Sequence, residues 1–102
     1  MPKVVRIGDS LSTGHGCTGT TTLDNSNQGV DNVYANNILI SVEGADTVSH
    51  AFPPDPPCTP HVAQLNTGSS TVFINNIKVG RIGDSADAGA MTTGSPNVYA
   101  GP

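Results

Sequence analysis

A near-identical internal repeat is the feature that most constrains how this chain can fold. The octet KVVRIGDS at residues 3–10 returns as KVGRIGDS at residues 78–85, with seven of eight positions identical. All four basic residues of the protein lie in these two octets, at matching places. A segment that recurs together with its flanks indicates a structural unit that is used more than once, so we interpret the repeat before any local motif.

The repeated unit begins before the octet, in a segment that is typical of a β-strand. GSSTVFINNI at residues 68–77 leads into the second octet, and GVDNVYANNI at residues 29–38 stands 39 residues earlier. The earlier segment leads into a degenerate octet at residues 39–46, which keeps Gly44 and Asp46 but has no arginine. Asparagine tolerates positive φ, so an Asn-Asn pair suits a two-residue hairpin turn. Each unit is therefore predicted to be a strand, a tight turn and a second strand that stops at Gly-Asp.

The two ends of the chain supply the halves of a third unit. GSPNVYA at residues 94–100 matches the first half of a unit, and residues 1–10 match the second half. We therefore predict three hairpins around a pseudo-threefold axis, the third closed by pairing residues 98–99 with residues 4–5. Closure would leave few free strand edges. The alternative is an open sheet of tandem hairpins with the termini apart.

Composition favours an all-β chain and restricts the classes of function. The 102 residues include 12 Gly and 8 Pro, and no window shows sustained helical periodicity. One domain spanning residues 1–102 is expected. A net charge of −4 with only four basic residues argues against a nucleic-acid surface. The sequence shows no signal-peptide pattern or membrane-spanning run, so we expect synthesis in the cytoplasm, where two cysteines do not indicate a disulfide framework.

Three long loops connect the predicted hairpins and should meet at one end of the molecule. They cover roughly residues 10–30, 44–69 and 84–95. Each loop leaves the second strand of a unit, so the predicted symmetry brings all three to the same end. Every histidine and cysteine lies in the first two loops, and the third loop has neither.

This concentration of nitrogen and sulfur ligands predicts a structural metal site. Closed zinc sites take four such ligands, and the predicted set is His15, His50, Cys58 and His61. Cys17 is left spare, because only one residue separates it from His15. Four protein ligands leave no open position for catalysis, so the ion would order loops that bury too little apolar surface to order themselves. The alternative is that the histidines are exposed loop residues.

The units resemble the PAAR-repeat family, which is named for a Pro-Ala-Ala-Arg stretch before Gly-Asp. Residues 3–9 and 78–84 stand in for that stretch, and residues 69–76 resemble the strand that leads into it. Gly-His-Gly at residues 14–16 matches a typical position after the first Gly-Asp. The resemblance covers nearly the whole chain. The proline is missing from both octets, and the long proline-rich second loop is closer to the phage-tail members.

The resemblance implies a small conical β fold with a pseudo-threefold base and a metal-ordered apex. One copy would cap the trimeric β-helical spike of a contractile phage tail or a type VI secretion system, contacting the target-cell membrane transiently. The protein would be a monomer when free, made in the bacterial cytoplasm and carried at the spike tip. By resemblance the ligands are again His15, His50, Cys58 and His61, with Zn²⁺ expected and iron as the alternative. The implied spike-facing residues lie on the hairpin ends: Asn36, Asn37, Ile38, Asn75, Asn76 and Ile77.

Two enzymatic interpretations compete with this structural one. Residues 8–11, Gly-Asp-Ser-Leu, resemble the opening block of the GDSL esterases, in which Ser10 would be the nucleophile. That resemblance would imply a longer α/β protein with an aspartate three residues before a histidine late in the chain. This chain has no such pair. A Cys58–His61 protease pair lacks an evident orienting group. We therefore expect no catalysis.

A toxin-carrying secretion adaptor is the remaining alternative, because PAAR-like domains often carry effector extensions. The chain reaches its last residues, 101–102, as the final half-unit is completed. A fused effector is therefore not expected.

Overall fold

A computed structural model describes residues 2–24, 32–52 and 58–101. These ranges contain short antiparallel strands and no helix. The predicted all-β class is confirmed for these ranges, and no helix in them could cross a membrane. The strands of the described ranges are β1 (Ser10–Ser12), β2 (Thr20–Thr22), β3 (Tyr34–Ala35), β4 (Ile38–Leu39), β5 (His50–Phe52), β6 (Thr59–His61), β7 (Phe73–Ile74), β8 (Ile77–Lys78), β9 (Ser85–Ala86) and β10 (Gly89–Met91).

The strands form one four-stranded sheet and three two-stranded hairpins. The sheet has the order β2-β1-β10-β9, and the hairpins are β3-β4, β5-β6 and β7-β8. In the sheet, Leu11 of β1 lies opposite both Thr21 of β2 and Met91 of β10. The first and last loops are therefore joined by strand pairing, although they are far apart in sequence.

The two predicted Asn-Asn turns connect β3 to β4 and β7 to β8. Asn36 and Asn37 have φ of 56° and 65°, and Asn75 and Asn76 have φ of 52° and 67°. Two successive positive φ values are what a type I′ turn requires, and asparagine adopts them more readily than most residues. The Asn-Asn pairs therefore explain both hairpin turns.

The three octets hydrogen-bond to one another in a closed ring. The Val5 N–H donates to the Gly80 carbonyl, Gly80 donates to Ser41, and Ser41 donates back to Val5, each over 3.0 Å. Antiparallel bridges join the same three segments, namely Val4–Arg81, Arg6–Ile40 and Val42–Val79. Each octet therefore pairs with both of the others, which satisfies its backbone groups without a long sheet.

The two ends of the chain are also paired. Lys3 forms an antiparallel bridge with Tyr99, and the Val4 N–H donates to the Val98 carbonyl over 2.9 Å. The Ala100 N–H donates to the Pro2 carbonyl over 3.0 Å. Residues 2–4 and 98–100 therefore lie side by side, as the split repeat predicts.

The ring of octets separates two apolar clusters. Successive residues of a strand point to opposite faces, so Val4 joins one cluster and Val5 joins the other. The hairpin-side cluster consists of Val4, Ala35, Ile40, Val42, Ile74, Val79 and Ala100. The loop-side cluster consists of Val5, Leu11, Leu23, Ala45, Leu65, Ala86 and Met91. The core therefore occupies both sides of the ring.

An arginine–aspartate pair closes the turn at the end of each complete octet. Asp9 Oδ2 accepts from the Arg6 backbone N–H at 2.7 Å and from Arg6 Nε at 3.1 Å. Asp84 makes the same two contacts with Arg81, at the same distances. These charge-assisted bonds give the Gly-Asp sequence a structural purpose.

The middle octet keeps this turn without the charged pair. Gly44 has φ of 92°, close to the 87° of Gly8. The Ala45 N–H donates to the Val42 carbonyl over 3.0 Å, just as the Asp9 N–H donates to the Arg6 carbonyl in the first octet. Ala45, and not Asp46, therefore occupies the position of the octet aspartate, so glycine is the one requirement common to all three turns.

Candidate metal centre

Four side chains converge where the loops meet: His15, His50, His61 and Asp87. One potential ligand atom from each lies within 4.8 Å of the other three, so this cluster could hold a metal ion. The prediction that the three histidines come together is thus matched by the geometry. The fourth member is an aspartate from the third loop, the loop that was predicted to hold no ligand.

Strand register brings two of the histidines together. His50 and His61 are direct cross-strand partners at the inner end of the β5–β6 hairpin. Opposed residues in an antiparallel pair place their side chains within contact distance. Their Nε2 atoms are 2.8 Å apart.

A glycine allows the first loop to reach the third. Gly14, with φ of 72°, packs so closely on the Ala88 carbonyl that a Cβ would clash with it. The Ala88 N–H donates to the Thr13 carbonyl over 2.9 Å. His15 and Asp87 each adjoin this contact in the chain, so the close backbone approach sets their side chains side by side. This close contact explains why the residue before His15 is a glycine.

The distances within the cluster suit one small metal ion. Asp87 Oδ2 is 2.8 Å from His15 Nε2, 2.7 Å from His50 Nε2 and 3.2 Å from His61 Nε2. A tetrahedron with bonds of about 2.0–2.1 Å has edges of about 3.3–3.4 Å, which is close to these three distances. All four ligand atoms lie within 4.8 Å of one another, so shifts of the side chains would place them around one zinc ion.

Backbone carbonyls orient two of the imidazole rings for metal binding. His15 Nδ1 lies 2.8 Å from the Gly16 carbonyl, and His50 Nδ1 lies 2.8 Å from the Val48 carbonyl. Because a carbonyl only accepts, each Nδ1 carries the proton, and a neutral ring then presents a lone pair at Nε2. Lone pairs that converge with a carboxylate repel one another unless a proton or a metal cation lies between them. Metal-binding histidines commonly donate their other ring N–H to a carbonyl or carboxylate in this way.

The cluster is shielded except at one edge. The side chains of His50, Asp87 and His15 are 3%, 6% and 7% exposed, whereas that of His61 is 26% exposed. The hydrogen bond to the Gly16 carbonyl, opposed by burial and supported by Asp87, raises the pKa of His15 above its ordinary 6.5. Burial alone would raise the pKa of Asp87, but the hydrogen bonds that the three histidines donate when Nε2 carries a proton outweigh it and lower the pKa below 3.8. The carboxylate is therefore ionised at neutral pH and favours a bound cation.

Cys58 is not a member of the cluster, contrary to the predicted ligand set. It forms a disulfide with Cys17, so the expectations of a Cys58 ligand and of no disulfide are corrected. Cys17 lies outside the cluster, as predicted, but it is the disulfide partner. The physical reason is strand direction: Cys58 directly precedes β6 and lies three residues before His61. At about 3.3 Å per residue, that is about 10 Å from the position opposite His50.

Asp87 was missed because only nitrogen and sulfur ligands were considered. It lies in the tight turn between β9 and β10, with φ of 54°. Carboxylate oxygens also bind zinc, at about 2.0–2.2 Å. The prediction that all three loops meet at one end was the signal that could have drawn attention to the third loop.

The remaining predicted residues lie away from this cluster in the chain. Asn36, Asn37, Asn75 and Asn76 are exposed on their hairpin turns; Ile38 is exposed and Ile77 half-buried. Ser10 is half-buried in β1, where its backbone N–H donates to Thr93 Oγ1 over 2.8 Å.

No protein-family model matches the sequence, and no related protein of curated function was found.

Proposed function

We propose that this protein is a PAAR-like cap that sharpens the trimeric β-helical spike of a contractile injection machine, a phage tail or a type VI secretion system. The observation that carries the proposal is the cyclic set of hydrogen bonds among the three octets, each of 3.0 Å. A monomer on the end of a trimer makes equivalent contacts to all three subunits only if its own surface repeats three times. The repeated ring supports such a surface.

The repetition extends from the ring toward the loops, which supports a pseudo-threefold cone. The glycine N–H of each octet donates to the carbonyl of a buried apolar residue over 2.7–2.9 Å: Gly8 to Leu23, Gly44 to Leu65 and Gly83 to Met91. These acceptors follow the predicted loops into the loop-side cluster. The molecule is elongated, with extents of 41 × 25 × 22 Å, as a narrow cap would be.

We assign spike docking to the hairpin side of the ring. Tyr34, Phe73 and Tyr99 take the same place in the three units and are 56%, 49% and 49% exposed. Exposed aromatic side chains commonly supply much of the binding energy of an interface. Phe73 and Tyr99 also border a cleft of about 470 Å³ with an apolar lining. With the turn residues Asn36, Asn37, Ile38, Asn75, Asn76 and Ile77, these aromatics form the proposed docking surface.

We assign the opposite end to a structural metal, with Zn²⁺ as the proposed ion and iron as the alternative. His15, His50, His61 and Asp87 supply four ligands, which completes a tetrahedral shell and leaves no position for substrate. The ion would join all three loops, so a point that contacts a membrane would resist deformation.

The proposal includes no catalysis. The three histidines direct Nε2 toward Asp87. Asp9, beside Ser10, is bound by Arg6. A GDSL-type esterase therefore gains no support from the surroundings of Ser10.

Binding to a spike tests the proposal. The protein would be mixed with purified trimeric β-helical spike ends from phage tails and from type VI systems, and stoichiometry measured by native mass spectrometry. We expect one copy per trimer with a cognate spike. The triple variant Tyr34→Ala/Phe73→Ala/Tyr99→Ala should lose binding, whereas Val62→Ala, at an exposed apolar position near His61, should keep it. Unaltered binding by the triple variant, or none by the parent protein, would contradict the proposal.

A further inference from the structure

We propose that the Cys17–Cys58 disulfide is a redox-dependent staple that slows loss of metal from the cluster once the protein enters an oxidising environment. This inference goes beyond the cap function and rests on metal binding by the four clustered side chains. It concerns how firmly the ion is held and not which atoms hold it.

The staple joins the two loops that carry the histidines. Cys17 lies two residues after His15, and Cys58 lies three residues before His61. Backbone hydrogen bonds also join these loops, such as that from the Val48 N–H to the Thr22 carbonyl over 2.9 Å. Closer to the cysteines, the Ala51 N–H donates to Thr18 Oγ1 over 3.2 Å. Because the ion would bridge these loops too, its departure is easier if they can separate. The disulfide keeps them together.

The staple acts where the cluster is least supported. His61 is its most exposed member, and it lies on β6, whose strand partner is β5 in a two-stranded hairpin. An isolated two-stranded hairpin is at best marginally stable in water. Cys58 fastens the outer part of this hairpin to the first loop. His61 therefore has less freedom to move away from the ion while the disulfide is intact.

The redox dependence follows from the accessibility and number of the cysteines. Both are exposed, and they are the only two in the chain, so no competing intramolecular pair exists. Protein thiols stay reduced in a bacterial cytosol and form disulfides in oxidising compartments. The chemical step requires a low-molecular-weight disulfide as oxidant.

That step is an ordinary thiol–disulfide exchange. One cysteine thiolate attacks a sulfur of the small disulfide and releases one small thiolate, forming a mixed disulfide. The other cysteine thiolate attacks the protein sulfur of this intermediate and releases the second. The protein loses two electrons and two protons, and the small disulfide gains both.

Reduction should leave the ligand set unchanged. Cys58 is three extended residues away from the position of His61, so its thiolate would reach the ion only if β6 were broken. Both redox states should therefore bind metal through three nitrogens and one oxygen, and differ in the rate of release.

Zinc release to an excess of chelator tests the staple. The zinc-loaded protein would be oxidised with glutathione disulfide or kept reduced with a phosphine, and zinc content measured first. Preorganised sites retain their ligands better, and outer-shell support of a metal commonly changes affinity 10–100-fold. We expect release to be at least about tenfold slower from the oxidised protein. The double variant Cys17→Ser/Cys58→Ser should release zinc rapidly under both conditions.

Two results would overturn the inference while leaving the metal site intact. One is equal release rates from oxidised and reduced protein that each hold one zinc. The other is a strong sulfur-to-metal charge-transfer band in the reduced cobalt-substituted protein, which would make a thiolate a ligand. Absence of metal from both forms would overturn the staple and the proposed metal site together. Spike docking, tested on the aromatic surface, would be unaffected by any of these outcomes.

Discussion

The ring of octets and the loop end of the molecule are stabilised in different ways. In the ring, backbone groups bond to one another in a repeated pattern, with an apolar cluster on each side. At the loop end, the four-stranded sheet and the β5–β6 hairpin are connected further by a disulfide and by four clustered polar side chains. Equivalent contacts that repeat three times support the ring, whereas the loops combine strand pairing with connections that are each made only once. Damage to the ring should therefore cost global stability, and damage to the cluster should act through the metal.

The largest effect is expected from a cavity in the loop-side apolar cluster. Leu65 is 1% exposed, and its carbonyl accepts from the Gly44 N–H over 2.7 Å. Leu65→Ala should lower the free energy of unfolding by about 2–5 kcal/mol, as for other buried leucines. Urea denaturation of the metal-free protein would measure this. The exposed Val62→Ala is the control and should change stability by less than about 0.5 kcal/mol.

Loss of one histidine ligand should have the next largest effect, and only when metal is present. His50 is the most buried member of the cluster, so we expect His50→Ala to lower zinc content and melting temperature together. An ion at 100 times its dissociation constant contributes about 2.7 kcal/mol, so the zinc-dependent loss should be about 2–3 kcal/mol. His61→Ala should behave in the same way.

Ser10→Ala is the control for these variants, because Ser10 is not among the clustered residues. It should change neither zinc content nor melting temperature. Equal behaviour of the three variants by elemental mass spectrometry and calorimetry would contradict the assignment of the site.

Replacing Asp87 distinguishes the observed cluster from the ligand set predicted from sequence. If Asp87 is the fourth ligand, Asp87→Ala should weaken zinc binding by more than about tenfold, since loss of a residue that only hydrogen-bonds to a metal ligand commonly costs that much. Cys58→Ser should leave one zinc per chain, although its release should be faster. Competition with a calibrated chelator measures both. Asp24→Asn, at an exposed carboxylate outside the cluster, is the charge control. The opposite pattern would favour a Cys58 ligand.

The two regions also differ in how far they could be predicted. The Asn-Asn turns and paired chain ends followed from the repeat, because turn chemistry and strand alternation are local or recurring properties of a sequence. The three histidines could be placed at one end by the same argument. The partners of Cys58 and Asp87 could not be predicted from the repeat, because these contacts depend on the register of β5–β6 and on the backbone contact of Gly14 with Ala88. Those are unrepeated tertiary contacts.

The smallest expected effect comes from making one octet resemble another. The middle copy forms its turn with Val42 and Ala45 where the first has Arg6 and Asp9. Arg6→Ala/Asp9→Ala should therefore preserve the fold and cost only about 1 kcal/mol, since both members of a half-buried ion pair leave together.

Removing one partner is the sharper comparison. Asp9 is 7% exposed and also accepts from Thr93 Oγ1 at 3.1 Å, so Arg6→Ala alone leaves a buried carboxylate with fewer donors. The single variant should be less stable than the double variant in urea denaturation. If the double variant is the less stable, the charged pair is a requirement of the ring, and the middle octet depends on contacts that its neighbours lack. If the order is as expected, backbone geometry at Gly8 and its equivalents is what the three octets must share.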